Sequence, residues 1–413
     1  MWCSRRTTRL CATECRVLVM RASGLAFTFL SLRSRRSGRL AHSNHACMAA
    51  VGPSLDPDAT RSDNRNILIL DPASYNCFHD LEAEGFQVTA AHGMSDAELE
   101  DILPGYDAVV VRSANRVTRS MLAASPRVAV VGRAGSGVDN IDLDAAIELG
   151  VAVVNAPTGN AGSVAELVLG LMLSISRSLP RAHDTIKRGE WAKKDFSGRT
   201  LKGKILGIVG FGSVGQELAK LGIALGMVVM IANGNRSPPP GGKQGNDQSK
   251  TERAALAKEV GVTGPPLPLD ELLSKSDFLS LHLPLTADTR GMIAERELAL
   301  MKASAVIINA ARGGVVDEQD LAQALMEGRL GGAGLDVFGS EKAPLQDHVI
   351  NLCRLPNVVC TPHIGGSTEE AGERVLSEVC SAVVDALKGT LPQERFVTGS
   401  PDTNLRITRL CEQ

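Results

Sequence analysis

From residue 66 to residue 154 short apolar runs alternate with stretches in which apolar side chains recur every three or four positions. The runs at 67–70, 87–90, 108–111, 128–131 and 152–154 read as buried strands, and the stretches near 74–84, 95–102, 118–124 and 142–148 read as helices. Strand and helix in strict alternation predict a parallel sheet covered on both faces. A longer amphipathic stretch follows, from Ser163 to about Arg188. Ser163 is placed to cap it, with Glu166 three residues on completing a capping box, and Pro180 should kink it or divide it. Its apolar side (Val164, Leu167, Leu171, Ile175) is more continuous than one core face needs, which suits packing between domains or subunits. A second alternating series then begins, with strands expected at 205–209, 228–232, 278–281, 305–308, 333–337 and 358–360 and helices near 216–225, 252–260, 295–301, 317–327 and 368–388. The fold class is therefore α/β, with two doubly wound parallel-sheet domains. Only 237–250 interrupts the pattern: rich in Pro, Gly and Gln and nearly free of apolar side chains, it reads as a disordered surface loop.

The first strand of the second series runs directly into Gly210-x-Gly212-x-x-Gly215 and then into a helical period. In that context the three glycines have distinct duties. Gly210 allows the turn, Gly212 lets the backbone approach a pyrophosphate, and Gly215 lets helix and strand pack closely, so that the helix N-terminal N–H groups face the phosphates.

Composition adds a leader. Residues 1–50 hold nine arginines and one acid, Glu14, a charge of about +8, which leaves about −10 of the total −2 for the remainder. A body so acidic is not expected to bind nucleic acid or an anionic membrane surface. The leader is rich in Arg and Ser, and its longest apolar run, 25–32, is too short to span a bilayer. It reads as an organellar transit peptide, so residues 1–62 are excluded from the fold as leader or disordered. The five cysteines outside it (Cys77, Cys353, Cys360, Cys380, Cys411) show no Cys-x-x-Cys spacing and sit mostly in apolar segments. That pattern suits buried thiols in a reducing compartment rather than disulfides, with no metal indicated.

Three strand-end loops of the second series carry reactive residue types: Arg312 after one strand, Glu341 after the next and His363 after the last. Hydride transfer to a ketone needs a proton donor at the oxygen, a fixed cation for a neighbouring carboxylate, and a group that sets the donor's pKa and orientation. His363, Arg312 and Glu341 supply these in that order. Arg112 and Arg133, at neighbouring strand ends of the first series, add cationic groups for an anionic substrate.

These segments, notably Gly132-Arg133-Ala134-Gly135-Ser136-Gly137-Val138-Asp139, the glycine triplet, Asn309-Ala310-Ala311-Arg312-Gly313-Gly314 and Pro362-His363-Ile364-Gly365-Gly366, resemble the D-2-hydroxyacid dehydrogenases over about 66–398, and within them the phosphoglycerate dehydrogenase branch of plastid-targeted kind. The resemblance implies a Rossmann-like cofactor domain inserted in a flavodoxin-like substrate domain: 63–161 the first part of the substrate domain, 162–362 the NAD-binding domain, 363–398 a return to the substrate domain, and 399–413 a tail. It implies NAD held by Ser136, Gly210, Gly212, Ser213, Val214, Gly215, Asn233, Leu283, Ala310, Ala311, Arg312, Asp336, His363, Ile364, Gly365 and Gly366, and an anionic 2-hydroxy acid held by Arg112 and Arg133. Arg312 would orient the substrate carboxylate, His363 would be the acid–base group and Glu341 its partner.

The activity so implied is oxidation of D-3-phosphoglycerate to 3-phosphohydroxypyruvate for serine synthesis. The alternatives are an NADP-dependent glyoxylate or hydroxypyruvate reductase, or a dinucleotide-sensing binding protein of the same fold. A homodimer or homotetramer in the plastid stroma, or else in the mitochondrial matrix, is the accompanying expectation. Three departures from the family pattern bear on this. Asn233 stands where an acid usually bonds the adenosine ribose, with Arg236 close behind, so NADP is also admissible. Lys342 follows Glu341 where proline is common, which should loosen that loop. About fifteen residues follow Val397, so feedback through an appended regulatory domain is not expected.

Overall fold

The computed structural model describes residues 17–22, 25–30, 65–72, 74, 76–232 and 247–398. In the leader it shows an antiparallel hairpin, β1 (Val17–Ala22) with β2 (Leu25–Leu30), so part of the stretch expected to lack structure is paired. Two apolar runs separated by Ser23-Gly24 are themselves a hairpin signal.

Five strands follow: β3 (Asn66–Leu70), β4 (Gln87–Ala91), β5 (Ala108–Val111), β6 (Val130–Arg133) and β7 (Ala152–Asn155). A second group comprises β8 (Ile205–Val209), β9 (Val228–Ile231), β10 (Phe278–Leu281), β11 (Val306–Asn309), β12 (Gly332–Leu335) and β13 (Val358–Cys360), and β14 (Phe396–Thr398) ends the described chain. The first sheet has the order β4-β3-β5-β6-β7-β14, parallel except for β14, which runs antiparallel to β7. The second has the order β9-β8-β10-β11-β12-β13 and is wholly parallel. In both, the winding reverses beside the first strand. The crevices at β3/β5 and β8/β10 are therefore where ligands are received, beyond the strand carboxyl ends.

Each sheet is covered on both faces because successive strand residues point to opposite sides. Ile67 and Ile69 join the cluster with Val379 and Val383 of helix Glu369–Lys388, while Leu68 and Leu70 meet Leu99, Leu103 and Met121. Helix Ala161–Ser176 lays Leu171 and Met172 on Val306 and Ile308 of the second sheet. The chain thus leaves the first sheet after β7 and returns to it after β13. The two crossings are tied together: Ser163 Oγ lies 2.9 Å from Thr368 Oγ1, and Glu378 Oε2 accepts from the Gly159 amide at 2.9 Å and from Thr158 Oγ1 at 3.0 Å.

Several expectations are corrected. Ser163 does not cap a helix: the helix starts two residues earlier, at Ala161, and the buried Ser163 spends its hydroxyl on Thr368. The stretch to Arg188 is two helices, Ala161–Ser176 and Leu179–Lys187, bent by 63° at Ser178, which takes left-handed dihedrals ahead of Pro180. The strand expected at 128–131 lies at Val130–Arg133; Val128 and Ala129 are equally buried, and only strand pairing sets the boundary. The strand expected at 333–337 stops at Leu335, which frees Asp336 for the loop. Helix Asp247–Val260 takes the last four residues of the expected 237–250 loop, because its prolines and glycines end at Gly245; 237–246 lie outside the described residues. Helices Leu269–Lys275 and Asp347–Cys353 and strand β14 had no sequence expectation. Among the described residues no single helix is long and apolar enough to cross a membrane.

Candidate active site

The turn between β8 and helix Ser213–Ala224 is built as the glycine spacing requires. Gly210 has φ +96°, a left-handed conformation, and a Cβ there would sit 2.1 Å from the His282 carbonyl oxygen. A Cβ on Gly215 would sit 2.3 Å from the Gly210 carbonyl oxygen, so helix and turn touch backbone to backbone. At exposed Gly212 the same construction meets nothing within 4 Å. The helix that starts there has no side-chain cap. Its first N–H groups are thus left without a side-chain acceptor, the arrangement that receives a pyrophosphate, and these residues fit a dinucleotide.

Beyond the ends of β11, β12 and β13 the three reactive loops converge. Glu341 Oε2 lies 2.8 Å from His363 Nδ1. With Nδ1–H donated to the carboxylate, Nε2 is the nitrogen left to exchange a proton. Hydrogen bonding to Glu341, aided by the charges of Glu341 and Asp336, raises the His363 pKa above its ordinary value against the effect of burial. Burial alone would push Glu341 up, but the bond from His363, that residue's charge, the Phe338 amide and Arg312 together hold it below the usual carboxylate range.

His363 has φ +54°, unusual for a residue with a side chain. Asp336, 1% exposed, holds it there. Its carboxylate accepts from Thr361 Oγ1 at 2.6 Å and from the Ile364 and Gly365 amides at 2.8 Å each, and its backbone oxygen accepts from the His363 amide at 2.8 Å.

Arg312 reaches across to the first sheet, where Nε donates to Asp139 Oδ2 at 2.8 Å, while Nη1 donates to the Ala311 carbonyl at 2.7 Å. A cleft of about 430 Å³ lies between the sheets, lined by Arg112, Arg133, Gly135, Asn160, Glu341 and His363 among others. Burial, and after it the charge of Arg312, pushes the Arg133 guanidinium down to about 10, with Asp139 opposing. It remains charged at neutral pH. Its buried Nε has no hydrogen-bond partner, and Nη1 donates only to the Ala134 carbonyl. An unpaired buried donor on a cation is a place for an anion.

The remaining candidates surround this arrangement. Ser136 is exposed in the loop after β6, with its carbonyl accepting from Asn155. Ser213 opens the uncapped helix and donates to the Pro157 carbonyl at 2.8 Å; Val214 follows, half-buried. Leu283 lies against Gly210, Ala310 packs on the apolar cluster beneath, and buried Ala311 is fixed by its amide's bond to Asn309 Oδ1. Ile364 is exposed, Gly365 is buried above Asp336, and Gly366 lies against Asn160. Arg112 donates to the Asp71 carbonyl at 3.2 Å. Asn233 and Arg236 lie outside the described residues.

Residue reading missed Asp139, Asn160 and Glu318, which accepts from the Gly339 amide and so supports the Glu341 loop. Asp139 sits in a loop that drew notice for its glycines, yet no local signal links it to a partner 173 positions away. His282, beside the glycine turn, is pushed down to about 4 by burial and bonds Ser280. It is uncharged at neutral pH, which leaves His363 as the titrating imidazole of the site.

Comparison with known proteins agrees with this geometry. A family model described as "D-isomer specific 2-hydroxyacid dehydrogenase, NAD binding domain" matches residues 169–365. The chain is 41% identical over 307 residues to a hydroxypyruvate reductase of Thermotoga maritima, covering 74% of this chain and 93% of that one. It is 40% identical over 327 residues to a D-3-phosphoglycerate dehydrogenase of Methanocaldococcus jannaschii, covering 79% of this chain and 58% of that one, so it spans little more than half of that relative's length. The crystal structure of a D-lactate dehydrogenase from Aquifex aeolicus complexed with NAD and lactic acid matches with a TM-score of 0.66 at 29% identity, covering 81% of this chain and 99% of that one.

Proposed function

The chain belongs to the D-isomer specific 2-hydroxyacid dehydrogenases, and we propose that within them it oxidises D-3-phosphoglycerate to 3-phosphohydroxypyruvate with NAD. The observation that carries the choice of substrate is the orphaned, buried Nε of Arg133 beside Arg112, a cationic group separate from Arg312. A phosphorylated 2-hydroxy acid has two anions to satisfy, a carboxylate and a phosphate; Arg112 and Arg133 line the cleft, and Arg312 stands close enough for its charge to act on Arg133, Glu341 and His363. The relatives named phosphoglycerate dehydrogenase support the same substrate.

Bound NAD supplies the hydride acceptor. The chain's own residues do the rest. Arg312 fixes the substrate carboxylate, with Asp139 holding the guanidinium beforehand. His363 Nε2 takes the proton from the 2-hydroxyl as the carbon is oxidised and returns it in the reverse direction, and Glu341 stabilises the imidazolium so formed. Asp336 keeps the loop in the conformation that aims the ring.

The Thermotoga relative, spanned almost completely, favours hydroxypyruvate reduction as the second reading. A spectrophotometric panel of NAD(H) and NADP(H) against phosphoglycerate, glycerate, glyoxylate and hydroxypyruvate separates the two. Replacing Arg133 with Ala should raise KM for phosphoglycerate by about 10- to 100-fold, the worth of a charge-assisted hydrogen bond, and leave KM for glyoxylate nearly unchanged. Equal effects on both substrates would refute phosphate recognition by Arg133.

The Arg- and Ser-rich leader supports import into the plastid stroma, or else the mitochondrial matrix, which the location of a tagged chain in cells would test. A homodimer is supported by helix Leu179–Lys187, which has no buried residue, and by the exposure of Leu179, Ile186 and Trp191 along one segment.

A further inference from the structure

Beneath the His363 loop two thiols face each other. Cys353 is the last residue of helix Asp347–Cys353 and Cys360 the last of β13, and their sulfurs are 2.8 Å apart with Cys360 donating to Cys353. Both are free and half-buried, and both line a cavity of about 370 Å³ shared with Leu345, Pro362, Glu341 and His363. A disulfide has an S–S distance of about 2.05 Å, so closing this gap takes a movement of about 0.8 Å. β13 is the edge strand of its sheet, and Thr361, Pro362 and His363 follow Cys360 without interruption. Any shift of Cys360 is therefore passed to the segment that fixes the His363 ring. A second pair, Cys77 and Cys380, differs on each count: its sulfurs are 3.7 Å apart, both residues are in the core of the first sheet, and neither lines the cleft.

We propose that Cys353 and Cys360 form a reversible dithiol–disulfide site, open to a peroxide or a small disulfide through the cavity, and that oxidation slows turnover by displacing the His363 loop. With a peroxide, the Cys353 sulfur attacks one peroxide oxygen, giving a sulfenic acid and one water. The Cys360 sulfur then attacks the sulfenic sulfur, forming the S–S bond and releasing a second water. Two electrons leave the thiols and reduce the peroxide, and a dithiol reductant reverses the step. The bond from Cys360 favours the thiolate of Cys353, which makes Cys353 the attacking sulfur.

Bond formation stands on the thiol geometry alone, and its coupling to turnover rests on the role given to His363 above. The test treats the full chain with hydrogen peroxide or oxidised glutathione, alkylates the remaining thiols and maps the peptides. In parallel it measures turnover of whichever 2-hydroxy or 2-keto acid the enzyme accepts. A cross-linked peptide lighter by two hydrogens should join Cys353 to Cys360, with kcat falling by about 10- to 100-fold, the scale of loss when a catalytic group is misplaced by about 1 Å. Dithiothreitol should restore both. Cys353→Ser and Cys360→Ser should resist the oxidant, and Cys380→Ala should not. Full alkylation of Cys353 and Cys360 after oxidation in the unaltered chain would overturn the site, whatever the substrate proves to be. A disulfide that forms with turnover intact would overturn its coupling to His363.

Discussion

At the scale of single residues the site turns on which atom carries a proton. Glu341 holds the His363 pKa above its ordinary value, so the ring stays protonated to higher pH. Reduction of a keto acid needs His363 charged and is lost as pH rises through that raised value. Oxidation needs it neutral and is lost as pH falls through the same value. Glu341→Gln removes the carboxylate that favours the charged form, so both limbs should move to lower pH in kcat/KM profiles. Limbs that stay in place would show that the carboxylate does not set the ring's protonation.

Among secondary elements, the strand and glycine turn around Gly210 were legible, while the helix expected near 216–225 starts three residues earlier, at Ser213, inside the glycine triplet. The apolar run, 205–209, coincides with β8, and the triplet that follows has one conformational solution. Gly215→Ala would push a methyl group to 2.3 Å from the Gly210 carbonyl, and overpacking of this kind costs about 1–3 kcal/mol. Urea unfolding should show that loss together with weaker dinucleotide binding, and unchanged stability would mean that the helix can move off the turn. Other elements were read less well for identifiable reasons. Helices Leu269–Lys275 and Asp347–Cys353 have seven residues each, too few for a helical period to separate from a loop. β14 has three residues and is a strand only because β7 offers its edge. Ser163-x-x-Glu166 is a valid capping pattern that lost to a buried contact with Thr368, and Thr368 lies 205 positions away.

Across the whole molecule, the site belongs to neither sheet alone. Arg312 leans on Asp139, and Glu378 ties together the crossings between the sheets. Sequence order supplied the reactive residues, while the ion pairs and crossings that bring them together are set by tertiary packing and leave no periodic trace. The same scale carries the prediction for assembly. Sedimentation should report a dimer, and Trp191→Glu, at a side chain now 84% exposed, should shift it toward monomer. An unaltered sedimentation coefficient would place the interface elsewhere.

The pairing of His363 with Glu341, beside the charge of Arg312, is tested most directly by single-turnover hydride transfer in His363→Ala, followed by nicotinamide absorbance alongside a dinucleotide titration. The account predicts unchanged dinucleotide affinity with transfer slowed by about 10²- to 10⁴-fold, the range for loss of a general acid–base group. Transfer at the unaltered rate would contradict it.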